Sequence, residues 1–273
     1  MNMIFKIAKT ELQTLFYSPV AWLILIVFTF QASILFTGTF GMSVRSQALE
    51  YEVGNLTLFT FGGDYGLFTH IQQYLYLYIP LLTMGLMSRE LSSGSIKLLY
   101  SSPVTNKEIV LGKYFAMLVY GLVLIGILAI YVLYSACTIK AFDFTVVLSG
   151  LLGLYLLICA YASIGLFMSS LTSYQVVSAM GTLAILAALS LVRGMWQDIE
   201  FVREITYWLS INGRVDEFVN GLICSEDILY FLIVITLFLT LTILRLQVIR
   251  QKTSWTIAWG RYIGVFLIAI VLG

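Results

Sequence analysis

Charged residues are scarce in this chain of 273 residues. Asp, Glu, Lys and Arg together make up 11% and hydrophobic residues 60%, whereas soluble domains have about 25% charged and about 45–50% apolar residues. The mean hydropathy of +0.96 excludes a soluble globule, because too little polar material is present to cover its exterior. A net charge of +1 also argues against a nucleic-acid partner, since nucleic-acid-binding proteins carry clustered Lys and Arg in excess. A lipid bilayer is therefore the expected surrounding.

Motifs that mark catalytic, nucleotide and metal sites are also lacking. The cysteines Cys137, Cys159 and Cys224 form no C-x-x-C pair, so no disulfide framework or zinc site is indicated and we interpret them as apolar residues. The single Gly-Lys pair, at Gly112, is followed by Tyr114 and has no upstream glycine at the Walker A spacing. The predicted spans contain no Asp or Glu in their cores, which argues against an enzyme or a proton-coupled pump. We expect no catalytic residue, no metal and no cofactor bound by this chain.

Long apolar runs dominate what is present. Six of them can cross a hydrocarbon core about 30 Å thick, which takes about 17 to 25 helical residues, and none shows the alternation of a β-barrel strand. The sequence therefore predicts an all-α integral membrane fold. The predicted spans are Val20–Phe40, Leu67–Met87, Tyr114–Cys137, Phe144–Met168, Val176–Val192 and Ile228–Leu244.

The predicted spans divide the chain into three parts. Residues 20–250 form the six-span domain, residues 1–19 precede it and residues 251–273 follow it. The apolar stretch Tyr262–Gly273 would extend only about 18 Å as a helix. We interpret it as the start of an incomplete seventh span, although a segment lying at the membrane interface fits as well.

Basic residues are divided unevenly between the two sides of the predicted membrane domain. Ten of the fifteen Lys and Arg lie in residues 1–19, 88–113, 169–175 and 245–261, while the other side has eleven of the fourteen acidic residues. Cytoplasmic loops carry the excess of Lys and Arg. This asymmetry predicts a multi-pass protein of the cytoplasmic (inner) membrane with a cytoplasmic N-terminus.

The first 19 residues show helical amphipathicity. Apolar side chains from Ile4 to Phe16 recur at helical spacing, while Lys6 and Lys9 lie on the other side. This pattern predicts an interfacial elbow helix that bends into the first span at Pro19. A frayed cytoplasmic tail is the alternative.

The longest cytoplasmic loop, Ser88–Lys113, contains signals for a short helix. Gly94 breaks the chain, Ile96 and Leu99 share one face of the predicted helix, and Pro103 ends it. Apolar residues on a cytoplasmic helix need a protein or lipid surface to cover them. Thr105 and Glu108 form a T-x-x-E capping box, and Lys107 and Lys113 are predicted to anchor the third span at the membrane surface.

This loop resembles the cytoplasmic loop of ABC type-2 exporter permeases, whose pattern is an acidic residue, glycine, a small hydroxyl residue, two leucines, a proline and a Gly-Lys. The matching residues are Glu90, Gly94, Ser95, Leu98, Leu99, Pro103, Glu108, Gly112 and Lys113. Lys97 departs from a position that is often acidic. The segments Tyr17–Pro19, Pro80–Met84, Phe218–Gly221 and Asp227–Phe231 resemble most the permeases of gliding-motility exporters.

The resemblance implies a coupling helix that fits a groove on a separate ABC ATP-binding subunit, which would hold ATP and Mg. It also implies a homodimer, or a heterodimer with a second permease, and allows for an accessory membrane subunit. The residues expected to contact the ATPase are Glu90, Gly94, Ser95, Ile96, Lys97, Leu98, Leu99, Pro103, Val104 and Lys107. A tight turn without a partner is the alternative for this cluster of Gly and Pro.

The side opposite this loop offers two further features. Trp196–Cys224 contains two short amphipathic stretches, which form either a re-entrant hairpin or simple interfacial helices. His70, Tyr74 and Tyr78 lie at i, i+4 and i+8. They line a substrate path in one interpretation and belong to the interfacial aromatic belt in the other.

The sequence thus predicts the permease subunit of an ATP-driven exporter, with ATP hydrolysis by another chain. The alternative is a membrane scaffold that uses ATP-driven motion to actuate envelope or gliding machinery without moving a solute. An ion-coupled carrier is disfavoured, because inverted repeats and ionisable residues near the midplane are lacking.

Overall fold

The computed structural model describes residues 3–48, 55–101, 103–139, 142–191, 210–251 and Gly264. All regular elements in these ranges are α-helices, as expected where apolar runs must satisfy their own backbone hydrogen bonds. The helices are α1 (Met3–Tyr17), α2 (Pro19–Ala48), α3 (Leu56–Phe61), α4 (Leu67–Thr83), α5 (Ser88–Ser93), α6 (Ile96–Ser101), α7 (Asn106–Thr138), α8 (Phe144–Leu171), α9 (Gln175–Leu191), α10 (Ile211–Val219) and α11 (Ser225–Gln251).

Six helices, α2, α4, α7, α8, α9 and α11, run alternately up and down between two ends of a bundle. At one end, Arg250 near the end of α11 donates to the Val104 carbonyl just before α7. At the other end, the Gly63 amide donates to Asn220 after α10. We call the end with α1, α5 and α6 the basic end and the end with α3 and α10 the acidic end, after the charges that the sequence gives to them.

Helix α8 lies at the centre and packs against α4, α7, α9, α10 and α11. Glycines let its neighbours approach its backbone closely. A Cβ atom added at Gly153 would lie 2.5 Å from the Phe218 Cβ, and one at Gly165 would lie 2.1 Å from the Thr83 Oγ1. α10 and α4 are therefore held directly against α8, in its first and second halves respectively.

Four helices are long and apolar enough to cross a membrane: Pro19–Arg45, Asn106–Thr138, Phe144–Leu171 and Ser225–Arg250. They establish a multi-pass, all-helical membrane protein among the described residues. The other two helices of the bundle, α4 and α9, have 17 residues each. Each extends about 25 Å, a little less than a hydrocarbon core of about 30 Å.

Several predicted boundaries differ from those in the structure. The second predicted span runs to Met87, but α4 ends at Thr83 after Pro80, whose missing N–H weakens the helix there. The second outer amphipathic stretch forms α10, which ends at Val219 and leaves Leu222 and Ile223 exposed. The first outer stretch, the predicted seventh span and most of residues 251–273 lie outside the described residues.

Candidate functional site

The loop at the basic end folds into two six-residue helices, α5 and α6, joined at Gly94. Gly94 has φ +72°, a left-handed conformation that costs other L-residues free energy. The Lys97 amide donates to the Gly94 carbonyl over 3.1 Å, and the Ser93 and Ser95 hydroxyls are hydrogen-bonded at 2.8 Å. The turn between α5 and α6 is thus set locally by glycine and two serines.

Charged side chains line the exposed surface of this loop. Lys97, Pro103 and Lys107 are exposed, whereas Ile96 and Val104 are buried against the chain itself, at 6% and 5% exposure. The sequence predicts that Ile96 is an exposed apolar residue of the loop helix, but its side chain is buried. The side chains of Leu98 and Leu99 lie outside the described residues. Within the described part, the exposed charged side chains of the loop, Arg89, Lys97 and Lys107, are all basic.

Ser169, near the end of α8, holds the turn between α4 and α5. Its Oγ accepts from the Met87 and Ser88 amides at 2.9 and 3.0 Å and donates to the Met84 carbonyl at 3.0 Å. These are backbone groups where α4 ends and α5 begins, and one hydroxyl bonds to three of them. The Met84 carbonyl also accepts from the Ser88 hydroxyl. The base of the loop is therefore tied to the central helix.

A buried ion-pair cluster connects α5 to α1 and α7. The Lys113 Nζ lies 2.5 Å from the Glu11 Oε1 and 2.6 Å from the Glu90 Oε1. The side chains of Lys113, Glu11 and Glu90 are 1%, 10% and 18% exposed. Arg89 adds a longer contact, 3.6 Å from its Nη2 to the Glu11 Oε2. Two carboxylates balance two cations, which allows the group to be buried. We call Glu11, Lys113 and Glu90 the triad.

Close packing of α1 on α7 brings Glu11 to the triad. A Cβ atom at Gly112 would lie 2.7 Å from the Ile7 Cβ, so glycine is needed for this approach. The Phe5 and Phe115 rings stack nearby, with centroids 6.4 Å apart. Lys113 was predicted as a membrane-surface anchor, but it is buried, because α1 covers it.

Sequence reasoning also missed Glu11. It lies at helical spacing from Ile4, Ile7 and Leu15, in the stripe of α1 that faces the protein. An acidic residue within an apolar stripe is the signal that could have identified it. Its partner is 102 positions away along the chain, so the pairing itself cannot be read from local sequence.

The remainder of the loop is fixed at both sides. The predicted capping box is present: the Thr105 amide donates to the Glu108 Oε2 at 2.8 Å and the Glu108 amide to the Thr105 Oγ1 at 3.3 Å. Arg250 donates to the Val104 carbonyl and to the Asn106 Oδ1, both at 3.3 Å. The segment before α7 is therefore anchored to the end of α11.

The three residues of the predicted substrate path occupy different surroundings. His70 is half-buried, Tyr74 is exposed and Tyr78 is buried. The Tyr78 hydroxyl donates to the Gln31 Oε1, and its ring meets Phe28 edge-on with centroids 5.8 Å apart. Tyr78 thus joins α4 to α2, and the path itself stays a prediction.

The fold and the loop together define a multi-pass helical membrane protein with a basic loop tied into its bundle. The profile described as ABC-2 family transporter protein matches residues 5–248, and the chain belongs to that family. It is a membrane permease of the ABC transporter class. Permeases of this family are generally non-catalytic and typically pair with an ABC ATPase. No curated protein matches the chain, and its placement in the gliding-motility branch stays a prediction.

Proposed function

We propose that this chain is the permease subunit of an ATP-driven exporter and that α5 and α6 dock on a separate ABC ATPase. Its six bundle helices cross the cytoplasmic membrane, and the basic end faces the cytoplasm, as the excess of Lys and Arg there favours. Two such chains, or this chain and a related permease, would sit above two ATPases. One observation carries the proposal: the basic loop is tied by buried polar contacts to helices of the bundle.

Those contacts would transmit movement of the ATPase. A force on α5 acts on α8 through Ser169, and on α1 and α7 through Glu90, Lys113 and Glu11. Buried ion pairs resist separation, since parting them leaves uncompensated charge. The bundle would therefore respond by rigid movement of whole helices between two packings, which is a common form of switching. ATP binding shifts the balance between the packings if the ATPase contacts differ in the two.

Exposed lysines indicate the chemistry of the docking contact. Lys97 and Lys107 project from the loop, so the groove that receives it should carry acidic side chains. Lys97 would then supply the positive charge of this contact, at a position where the resembling permeases often have an acidic residue. This assignment makes the docking sensitive to salt, because exposed charges are screened within about 10 Å at 0.1 M ionic strength.

The test is charge reversal at the loop. Lys97→Glu should abolish co-purification of the ABC ATPase with the permease, because it places a negative charge against an acidic groove. The matched control is Lys9→Glu, which reverses an exposed lysine on α1 at the same end. ATPase binding should survive the control. Equal binding in wild type and Lys97→Glu would contradict docking at this loop.

A further inference from the structure

A thiol and two carboxylates converge at the acidic end, between α10 and the first turn of α11. One ligand atom each from Glu217, Cys224 and Asp227 lies within 4.8 Å of the others. The Cys224 Sγ is 3.0 Å from the Glu217 Oε2. No disulfide uses this thiol, since Cys224 is free. The cluster belongs to none of the contacts described above at the basic end.

A rigid turn brings the three residues together. Gly221 has φ +92°, a conformation that favours glycine. A Cβ atom at this position would also lie only 3.0 Å from the Val146 Cγ2, so a side chain would be crowded. The Leu222 amide donates to the Glu217 carbonyl over 2.9 Å, and Asn220 accepts from Gly63. The turn is therefore held by the Gly63 amide that follows α3, by packing on α8 and by its own backbone hydrogen bond.

Asp227 supplies the observation that points to a ligand. Its side chain is 1% exposed, and its Oδ1 accepts from the Arg214 Nη1 at 2.8 Å. Among the described residues, no N–H or O–H group donates to its buried Oδ2, and the Glu217 carboxyl lies within hydrogen-bonding reach of the Asp227 carboxyl. Two carboxyl groups in contact need a proton or a cation between them. A carboxylate held through one oxygen by a second residue, with no donor on its other oxygen, is the usual arrangement of an oriented metal ligand.

Counting the residues that the structure describes, the cluster has more negative than positive charge. The carboxylates of Glu217 and Asp227 face each other. The guanidinium of Arg214 lies beside Asp227 and 5.4 Å from the Tyr230 ring centroid. Neighbouring carboxylates repel unless a proton or a cation lies between them. The Cys224 thiol donates its proton to the Glu217 Oε2, so a metal ion that binds here must displace that proton.

We propose that Glu217, Cys224 and Asp227 bind one divalent transition-metal ion of the Zn²⁺ class, with Arg214 orienting Asp227. One sulfur and two oxygen ligands suit Zn²⁺, which takes three protein ligands and a water at an open site, and the thiolate disfavours Mg²⁺ and Ca²⁺. Glu217 and Cys224 are half-buried, so the ion can enter from the surface. The site is distinct from the proposed docking loop and does not depend on it.

Metal content of the purified full-length chain tests the site. After chelation and reloading with Zn²⁺, the wild type should retain one zinc ion per chain, and Co²⁺ in its place should give a thiolate-to-metal charge-transfer band. Cys224→Ser should abolish the band, whereas Cys137→Ser, which changes an exposed cysteine at the same end, should keep it. Glu217→Gln provides a second variant, because it keeps the shape of the side chain and should lower zinc retention at least tenfold.

Three outcomes would contradict the proposed metal site. They are a wild type that retains no zinc after dialysis, a charge-transfer band that survives Cys224→Ser, and equal retention of Mg²⁺ and Zn²⁺. Zinc should also slow alkylation of Cys224 in the wild type and leave the rate at Cys137 unchanged. Equal rates at Cys224 with and without zinc would contradict thiol ligation.

Discussion

Replacing Lys113 by Met should destabilise the bundle by about 3 kcal/mol. The substitution fits the space of the side chain but leaves Glu11 and Glu90 without the cation that both contact, at 2.5 and 2.6 Å. Breaking a buried ion pair by removing one partner costs about 3–5 kcal/mol. The lower end applies here, because Glu90 is 18% exposed and Arg89 remains 3.6 Å from Glu11.

The assay is reversible unfolding in mixed micelles, followed by tryptophan fluorescence. Lys107→Met is the matched control, since Lys107 is exposed at the same end, and a surface substitution of this kind changes stability by less than about 0.5 kcal/mol. If Lys113→Met unfolds at the same denaturant concentration as the control, the triad does not form and no buried ionic link joins α5 to α1 and α7.

A triple variant separates stability from transmission. Changing Lys113 to Met together with Glu11→Gln and Glu90→Gln removes all three charges at once, and replacing a complete buried ion group is often neutral. Stability should return to within about 1 kcal/mol of wild type. The ionic link from α5 to α1 and α7 is absent, however, so ATP-dependent export should fall although the ATPase still binds. Wild-type export by a stable triple variant would show that the triad carries no movement.

Two glycine substitutions test the turn conformation at Gly94 and the close contact at Gly165. Gly94→Ala should cost about 1–2 kcal/mol, because Ala must adopt φ +72°, and it should weaken ATPase binding as the turn between α5 and α6 distorts. Gly165→Ala should cost about 1–3 kcal/mol, since its Cβ would lie 2.1 Å from the Thr83 Oγ1. Gly126→Ala, which meets no neighbouring atom within 4 Å, is the control in the same unfolding assay and should not destabilise. A loss of stability at Gly126 equal to that at Gly165 would contradict the packing of α4 on α8.

The parts of the structure that sequence predicts well depend on local chemistry. The capping box of Thr105 and Glu108 is present, because its two partners are three residues apart and backbone geometry alone brings them together. The break at Gly94 is also local. The all-helical membrane fold follows from composition, because lipid leaves few alternatives to the helix.

Long-range contacts could not be predicted in this way. The triad joins Glu11, Glu90 and Lys113 across 102 and 23 positions, and the depth of Lys113 depends on how closely α1 packs at Gly112. Such pairings arise from tertiary packing rather than from periodicity. The proposed site at Cys224 is local by contrast, but it depends on the conformation of the turn at Gly221 and lacks the C-x-x-C spacing that marks a zinc site in sequence.

Site-specific crosslinking tests the central claim most directly. A photoreactive residue in place of Lys97 should crosslink to the ABC ATPase in the intact complex, and one in place of Tyr65, which is exposed at the acidic end, should not. Crosslinking from position 65 but not from position 97, or from neither position in a complex that hydrolyses ATP, would contradict docking of α5 and α6 on the ATPase.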